Sequence, residues 1–275
     1  MPRDFRERFA ALARRPDEAI DLVEGALLIA GERYPDLEPE RVAGELAALG
    51  ERARAALGPA QSLPEQVARL NAFLFESERF RGNREDYADP RNSFLNDVLE
   101  RRTGLPILLS LVYVAVARSL GLEAVGVGFP GHFLAKVRGP EEIVVDAFEG
   151  RVLSQADCRE LLRAVSGGQL AFEASLLRAA SHREILVRIL SNLKHVYVSQ
   201  RDPEAAVGCS ERILLLQPDH PEELRDRGLL YRELECYAAA RSDLERFLEL
   251  APRHESAALV REALAPLRKR EQVLH

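Results

Sequence analysis

Two side chains whose types suit proton transfer, His132 and Asp146, fall in one stretch rich in strand-forming residues. A carboxylate beside an imidazole lets the ring act as a general base without a covalent intermediate. The Val, Ile and Phe residues of this stretch predict three strands: Glu123–Phe129, His132–Arg138 and Glu142–Phe148. We therefore expect a small antiparallel sheet, with the histidine at the start of its second strand and the aspartate in its third.

Whether the two side chains meet depends on the loop between the second and third strands, because alternate residues face opposite sides of a sheet. A three-residue loop, 139–141, pairs His132 with Phe148 and places Asp146 diagonally on the same face. A two-residue loop puts Asp146 on the opposite face. The sequence leaves both registers open.

A nearly all-apolar helix is predicted just before this sheet, from Pro106 to Gly121. Proline suits a first helical position, where its missing N–H has no intrahelical partner, and glycine is a usual stop. Apolar residues lie all round the helix, interrupted by Ser110 and the Tyr113 hydroxyl, which is typical of a buried helix. We expect the sheet to pack on this helix.

Composition limits the classes of function that the chain can have. It has 275 residues, a formal charge of -6 and three cysteines without metal-ligand spacing. An acidic chain without a long basic run disfavours nucleic-acid binding, and an odd number of cysteines in helical patterns indicates reduced thiols. The charged N-terminal segment has no signal-peptide core, and the apolar runs are too short to span a bilayer. We expect a cytoplasmic protein without a cofactor, a metal or a membrane partner.

Helical patterns account for most of the remaining chain before the repeats. Residues 4–57 read as helices, with Asp17 as an N-cap, and another helix is predicted from Leu63 to Phe75. Asn92 or Ser93 can cap a further helix that ends at Gly104. Beyond the sheet, helices are predicted at 154–165 and 172–177.

The C-terminal part contains an internal repeat. Leu190, Tyr197, Ala206, Leu214 and Pro218 recur 34 residues later as Leu224, Tyr231, Ala240, Leu248 and Pro252. This period and pattern are those of the tetratricopeptide repeat, which forms two helices per unit. Residues 187–218 and 221–252 are therefore predicted repeats, with Gly228 and Ala240 at a close helix approach. A capping helix, Glu255–Arg268, covers the last apolar face.

The run FRGN…YADPRNSFLNDVLERRTGLPILLSLVYVAVARSLGL…GVGFPGHFLAKV…VVDAF resembles the transglutaminase-like family of regulators of SirC expression. The resemblance extends from about Ala19 to the end of the chain. It implies an α+β, predominantly helical protein: a transglutaminase-like, papain-like core with a small antiparallel sheet, then tetratricopeptide helices. It places an N-terminal helical region and the core in residues 1–177 and the repeats in 178–275.

The resemblance also implies roles for individual residues. In the wider superfamily a cysteine at the start of the central helix acts with a histidine and an aspartate on neighbouring strands, and these positions correspond to His132 and Asp146. A helix N-terminus lowers a thiol pKa, which favours a nucleophile at that place. The corresponding position here is Pro106, which has no nucleophile. We therefore interpret His132 and Asp146 as a remnant dyad that holds two strands together.

Other residues can be weighed as replacements for the thiol or as binding groups. Ser110, Cys158 and Tyr113 are more simply explained as buried packing residues than as nucleophiles. The side chains named as candidates for a binding surface are Arg81, Asn83, Asn92, Asn96 and Arg101 in the core, and Tyr197 and Tyr231 in the repeats. Asparagines in turns and caps, and arginines near a helix C-terminus, also occur for structural reasons alone.

Two hypotheses of function follow. The first is a non-catalytic regulator or adaptor that binds a protein or peptide in the groove of its tetratricopeptide repeats. The second is an amidase, peptidase or acyltransferase that uses His132 and Asp146 with a water or substrate-borne nucleophile. The partner, the substrate and the oligomeric state are not determined by the sequence.

Overall fold

The computed structural model describes residues 5–59 and 62–273, and at the C-terminal end it describes side chains as far as residue 267. The chain divides into two compact units, residues 1–189 and 190–275. This division lies inside the long helix α8 (His182–Ser199), whereas the sequence placed it before that helix, at residue 177. The first half of α8 belongs to the first unit because Leu186 packs on Gly25 and Ile185 on Gly126.

The first unit begins with helices α1 (Phe5–Ala13), α2 (Leu22–Ala30), α3 (Pro39–Leu57) and α4 (Leu63–Asn71). The prediction that Asp17 caps the local helix was wrong, because Asp21 accepts the N–H groups of Val23 and Glu24 at the start of α2. Asp17 instead accepts the N–H groups of His182 and Arg183 at 3.0 and 2.9 Å, and so caps the distant helix α8. Beyond α4 the chain continues as a π-helical turn, Ala72–Ser77.

Two short parallel strands, β1 (Arg81–Gly82) and β2 (Thr103–Gly104), join the loop after that turn to the start of the central helix. Helix α5 (Leu95–Arg101) lies between them in sequence. Its predicted caps were wrong, because a 3-10 turn at Pro90–Ser93 comes first and Phe94 occupies the N-cap position.

The central helix α6 (Pro106–Ser119) is buried along most of its length and begins with proline, as predicted. It is followed by a four-stranded antiparallel sheet with the strand order β3 (Ala124–Val127), β4 (Leu134–Val137), β5 (Ile143–Asp146) and β6 (Arg151–Leu153). The sequence predicted the first three strands but not β6.

Helix α7 (Gln155–Ser166) covers one face of this sheet, with Cys158 and Leu162 in an apolar cluster that includes Val127, Leu134 and Val144. The predicted helix at 172–177 is only a 3-10 turn, Ala174–Leu177. Helix α6 contacts β3 and β4, and since α7 occupies the one face, α6 packs against the other. The sheet is thus held between two helices.

The second unit is helical, and it contains α9 (Pro203–Leu216), α10 (Pro221–Glu233), α11 (Tyr237–Leu250) and α12 (Ala257–Val273) after the second half of α8. The predicted close approach occurs: a Cβ on Gly228 of α10 would lie 2.8 Å from the Leu244 side chain of α11. The predominantly helical α+β class is confirmed. None of the helices within the described residues has the length and apolar character needed to cross a bilayer.

Candidate functional site

His132 and Asp146 are hydrogen-bonded to each other in the structure. The Nε2 atom of His132 lies 3.0 Å from both carboxylate oxygens of Asp146. The two side chains are 12% and 2% exposed, so the pair is almost completely covered. The other ring nitrogen of His132, Nδ1, points away from the carboxylate of Asp146.

The sheet register brings these two residues together. Ala135 pairs with Val145 and Val137 with Ile143, which is the register of the three-residue loop, 139–141. His132 itself lies in the turn before β4 rather than in the strand. Asp146 pairs with Arg151 of β6. Because alternate residues of a strand share a face, its side chain lies on the same face as Val144, which packs against α7.

Asp146 also organises the turn between β5 and β6. Its Oδ1 atom accepts the N–H groups of Phe148 and Glu149 at 3.0 and 3.2 Å, in addition to the imidazole. Its backbone carbonyl accepts the N–H of Gly150 at 2.8 Å. A buried carboxylate is costly unless its oxygens are hydrogen-bonded, and here they are. The same residue therefore fixes a turn and orients the histidine.

Aromatic rings lead from this pair toward the surface. The ring of Phe148 lies 6.0 Å from the His132 ring, and the Tyr87 ring lies 6.3 Å from Phe148, both in edge-on geometry. Tyr87 is 54% exposed, whereas His132 is nearly covered. Tyr87 was not among the candidate residues named from the sequence.

The start of α6 lies next to the same region. Phe148 O accepts the N–H of Gly82, and Gly104 O, two residues before Pro106, accepts the N–H of Asn83. The hydroxyl of Ser110 is completely buried and donates to Phe133 O, beside His132, at 3.4 Å. This hydrogen bond joins the central helix to the segment that carries His132.

Two further candidates for a nucleophile have a raised pKa, which makes each less reactive. Cys158 is 1% exposed in the cluster under α7, and burial, with a contribution from Asp157, raises the pKa of its thiol. A raised thiol pKa lowers the fraction of reactive thiolate. Tyr113 is also completely buried, and burial raises the pKa of its phenol.

Two of the asparagines named as binding candidates hold a loop. Asn83 Nδ2 donates to Asn92 Oδ1 at 3.0 Å, and Asn92 Nδ2 donates to the carbonyl of Asp86 at 2.7 Å. Both asparagines are buried, and they close the segment that carries Tyr87. Asn96 is partly buried on α5, where no described group bonds its Oδ1 atom.

The two predicted arginines differ in their surroundings. Arg81 is exposed at the start of β1. Arg101 Nη1 lies 3.0 Å from the carboxylate of Asp89, which is an ion pair by distance although its angle is not that of a hydrogen bond. Neither residue contacts the His132–Asp146 pair in the interactions that the structure shows.

The second unit contains a groove on the repeat helices with a volume of about 570 Å³. Residues from α8 and α10 line it: Lys194, His195, Val198, Asp226, Leu229, Leu230, Arg232 and Glu233. Lys194 is buried and donates to both oxygens of Glu223, at 2.9 and 2.7 Å, and to Asp226 at 3.0 Å. The positive charge of Lys194 is therefore neutralised within the protein. The apolar side chains and the other charged side chains of the groove remain available to contact a ligand.

The two tyrosines predicted as groove residues lie outside this set. Tyr231 donates to Glu211 at 2.9 Å and packs under the Arg227 guanidinium, so it joins two helices. Tyr197 is partly buried, and its carbonyl accepts the N–H of Asp202 at the following turn. The ionic cluster around Lys194 was missed, because in sequence it is only one lysine at the edge of an apolar helical face.

Among the side chains of residues 5–59 and 62–267, no group of three or more His, Cys, Asp or Glu is arranged to hold an ion.

Comparison with known proteins agrees with this architecture. Residues 40–191 match the model of the transglutaminase-like superfamily, and residues 193–265 match a tetratricopeptide repeat model. No solved structure matches the chain.

Relatives of nearly the same length occur in several bacteria. A UPF0162 protein of Xylella fastidiosa is 41% identical over 94% of this chain and 93% of its own length. A UPF0162 protein of Vibrio cholerae is 32% identical over 93% and 96%. Protein SirB1 of Salmonella typhimurium is 28% identical over 92% and 95%. The domain combination and these relatives suggest a regulatory protein. The chain belongs to the transglutaminase-like superfamily and to the bacterial family that contains the UPF0162 and SirB1 proteins, with a tetratricopeptide array after its core.

Proposed function

We propose that this chain is a cytoplasmic, non-catalytic regulator or adaptor, with a transglutaminase-like core that performs no acyl transfer and a repeat groove that binds a segment of another protein. The observation that carries the proposal is Pro106 at the first position of α6. In this superfamily the nucleophilic thiol belongs at the start of the central helix, where the helix N-terminus favours the thiolate. A proline ring offers no lone pair or acidic proton for that step.

The neighbouring residues support the same conclusion. Ser110 is one turn into the helix, and its hydroxyl is occupied by the carbonyl of Phe133. Cys158 lies on α7, where its side chain is buried against the sheet and the pKa of its thiol is raised. An acyl-enzyme intermediate needs an activated nucleophile within reach of the base, and neither side chain meets both conditions.

A structural role is sufficient to account for the His132–Asp146 pair. Asp146 holds two backbone N–H groups and the imidazole, so a conformationally demanding turn depends on it. The edge of Phe148 then packs on His132. A pair retained for these contacts needs no catalytic role.

The groove of the second unit supports a role in protein binding. Val198 is 50% exposed, and Leu229 and Leu230 lie beside it, which gives an apolar strip between charged rims. Such a strip suits the apolar face of a peptide or helix, while the rims pair with its polar side chains.

The groove is tested with a matched pair of variants. Val198→Glu places a charge in the groove, and Leu259→Glu places the same charge on α12, where the leucine is 57% exposed. Proteins cross-linked in cells to the wild-type chain should be lost from Val198→Glu and retained by Leu259→Glu. If both variants retain the same proteins, the groove is not the binding surface.

A second candidate function is favoured by one observation, the 3.0 Å contact between His132 and Asp146. A dyad of this kind can activate a water molecule for amide or ester hydrolysis. The purified chain is therefore assayed with amide and ester substrates beside His132→Ala. We expect no turnover above background from either protein. Turnover by the wild type that disappears in His132→Ala would establish the hydrolase instead.

A further inference from the structure

His195 is an exposed histidine of α8 that lines the groove of the repeat helices. Its Nδ1 atom lies 2.7 Å from the carbonyl oxygen of Ser191, one turn earlier in the same helix. A carbonyl oxygen can only accept a hydrogen bond, so Nδ1 carries the proton and donates it. In the neutral ring the other nitrogen, Nε2, is therefore a hydrogen-bond acceptor, and it points away from the backbone of α8.

The repeat places apolar side chains beside this acceptor. His195 and Leu229 are 34 residues apart, so they occupy equivalent positions on α8 and α10, and both line the same cavity. Val198 follows His195 by three residues, which places the two on one helical face, and the valine is half exposed. Leu230 lines the cavity as well. The imidazole is thus the polar group in an otherwise apolar section of the groove.

Charged side chains limit the length of this apolar section. At one end lies Lys194, bonded to two carboxylates at 2.7–3.0 Å. At the other end the cavity is lined by Arg232 and Glu233. A helix rises about 1.5 Å per residue, so Lys194 and Val198 are only about 6 Å apart along α8. The section suits a short motif with about one or two large apolar side chains, and it is too short for the continuous stripe of a long amphipathic helix.

The lining residues of the groove carry no net charge when histidine is neutral. They include two cations, Lys194 and Arg232, and two carboxylates, Asp226 and Glu233. The lone pair on Nε2 of His195 accepts an N–H or O–H group and repels a carboxylate. A charged donor would lose water beside apolar walls, at a cost that a hydroxyl or an amide avoids. The partner that complements this surface therefore presents a neutral donor beside an apolar side chain.

We propose that the groove binds a short segment of another protein in which a large apolar residue neighbours a side-chain hydroxyl or amide, and that Nε2 of His195 selects this donor. The inference rests on the proposed function, since it names the class of segment that the repeat groove accepts. Burial of the apolar residue supplies affinity. The imidazole supplies discrimination, because a segment without the donor leaves a covered acceptor unpaired.

The test begins with a displayed library of short random peptides, selected on the full chain. We expect an enriched motif that has serine, threonine, asparagine or glutamine at a fixed distance from a leucine or phenylalanine. Two synthetic peptides are then compared, one with the selected donor residue and one with alanine in its place. The wild-type chain should bind the donor peptide about fivefold more tightly, which is the ratio expected for one hydrogen bond.

Variants of His195 separate this hydrogen bond from a structural role, because each ratio compares two peptides on the same protein. His195→Phe keeps a ring without the acceptor, so it should bind the two peptides equally. His195→Gln places an amide oxygen near the position of Nε2, and it should restore part of the preference for the donor peptide. Arg253→Phe adds the same ring at an exposed position outside the groove and should keep the about fivefold ratio of the wild type.

Failure of the inference differs from failure of the groove. If no motif is enriched, or if Val198→Glu binds both peptides as tightly as the wild type, the groove is not the binding surface and the proposed function fails as well. If Val198→Glu loses both peptides but the wild type does not prefer the donor peptide, the groove stands and the role of His195 is wrong. The same conclusion follows if His195→Phe keeps the preference, or if the motif carries a carboxylate or an ammonium in place of the neutral donor.

Discussion

Replacing Asp146 with alanine removes the buried carboxylate that holds the turn between β5 and β6. The carboxylate accepts N–H groups from Phe148, Glu149 and the His132 ring, at 3.0, 3.2 and 3.0 Å. Each such bond contributes about 1 kcal/mol net, and buried donors left without a partner add a further cost, so the loss should be about 3–5 kcal/mol. Asp146→Asn keeps one oxygen for the turn and should cost about 1 kcal/mol.

The comparison with His132→Ala separates the two functions of the carboxylate. If Asp146 mainly holds the turn, its alanine variant must be less stable than His132→Ala, because the histidine variant leaves both backbone bonds intact. Urea unfolding gives the stability, and amide hydrogen exchange at Phe148 and Glu149 shows whether the loss is local to the turn. The exposed Asp36 provides the control, since its alanine variant should change stability by less than about 0.5 kcal/mol.

The reasoning fails if Asp146→Ala unfolds at the same urea concentration as Asp36→Ala, or if exchange at the two turn amides does not accelerate. The carboxylate would then be a poor structural element, and a catalytic explanation for its retention would gain weight.

Three other perturbations have defined outcomes. Asp17→Ala should cost about 1–2 kcal/mol and expose the first amides of α8 to exchange, whereas the neighbouring Glu18→Ala should not; equal values would contradict the long-range cap. Gly44→Ala should raise the free energy of unfolding by up to about 1 kcal/mol, because the added Cβ meets no neighbour. Gly228→Ala should raise it less or lower it, because its Cβ meets a leucine of α11. A larger gain at Gly228→Ala would refute the packing argument. Hydrogen bonds from Ser154, with the Arg151 charge, lower the pKa of Asp157 to about 2. Protection of the first amides of α7 from hydrogen exchange should therefore be complete above the unfolded-state pKa of this aspartate, about 4, and lost as pH falls through about 2. Protection that stays constant over this range would contradict the expectation.

Local patterns were sufficient for much of the architecture. The 34-residue period fixed the two repeats, because several residue types agree on one spacing and each repeat must bury the same face. Pro106 fixed the start of the central helix, because proline lacks only an N–H that has no partner there. The run of Val and Ile residues predicted β3, β4 and β5, but β6 has only three residues and too weak a pattern to detect.

The sequence by itself determined which residue types were present: a histidine, a carboxylate, a proline at the head of a helix and a repeated apolar pattern. Only the tertiary structure decided that His132 reaches Asp146, that Asp17 caps α8 and that Lys194 pairs with Glu223 and Asp226. The physical reason is the separation along the chain of the residues that interact. Caps and periodic faces depend on neighbours within a few residues, whereas contacts between distant residues depend on strand register and on how helices pack.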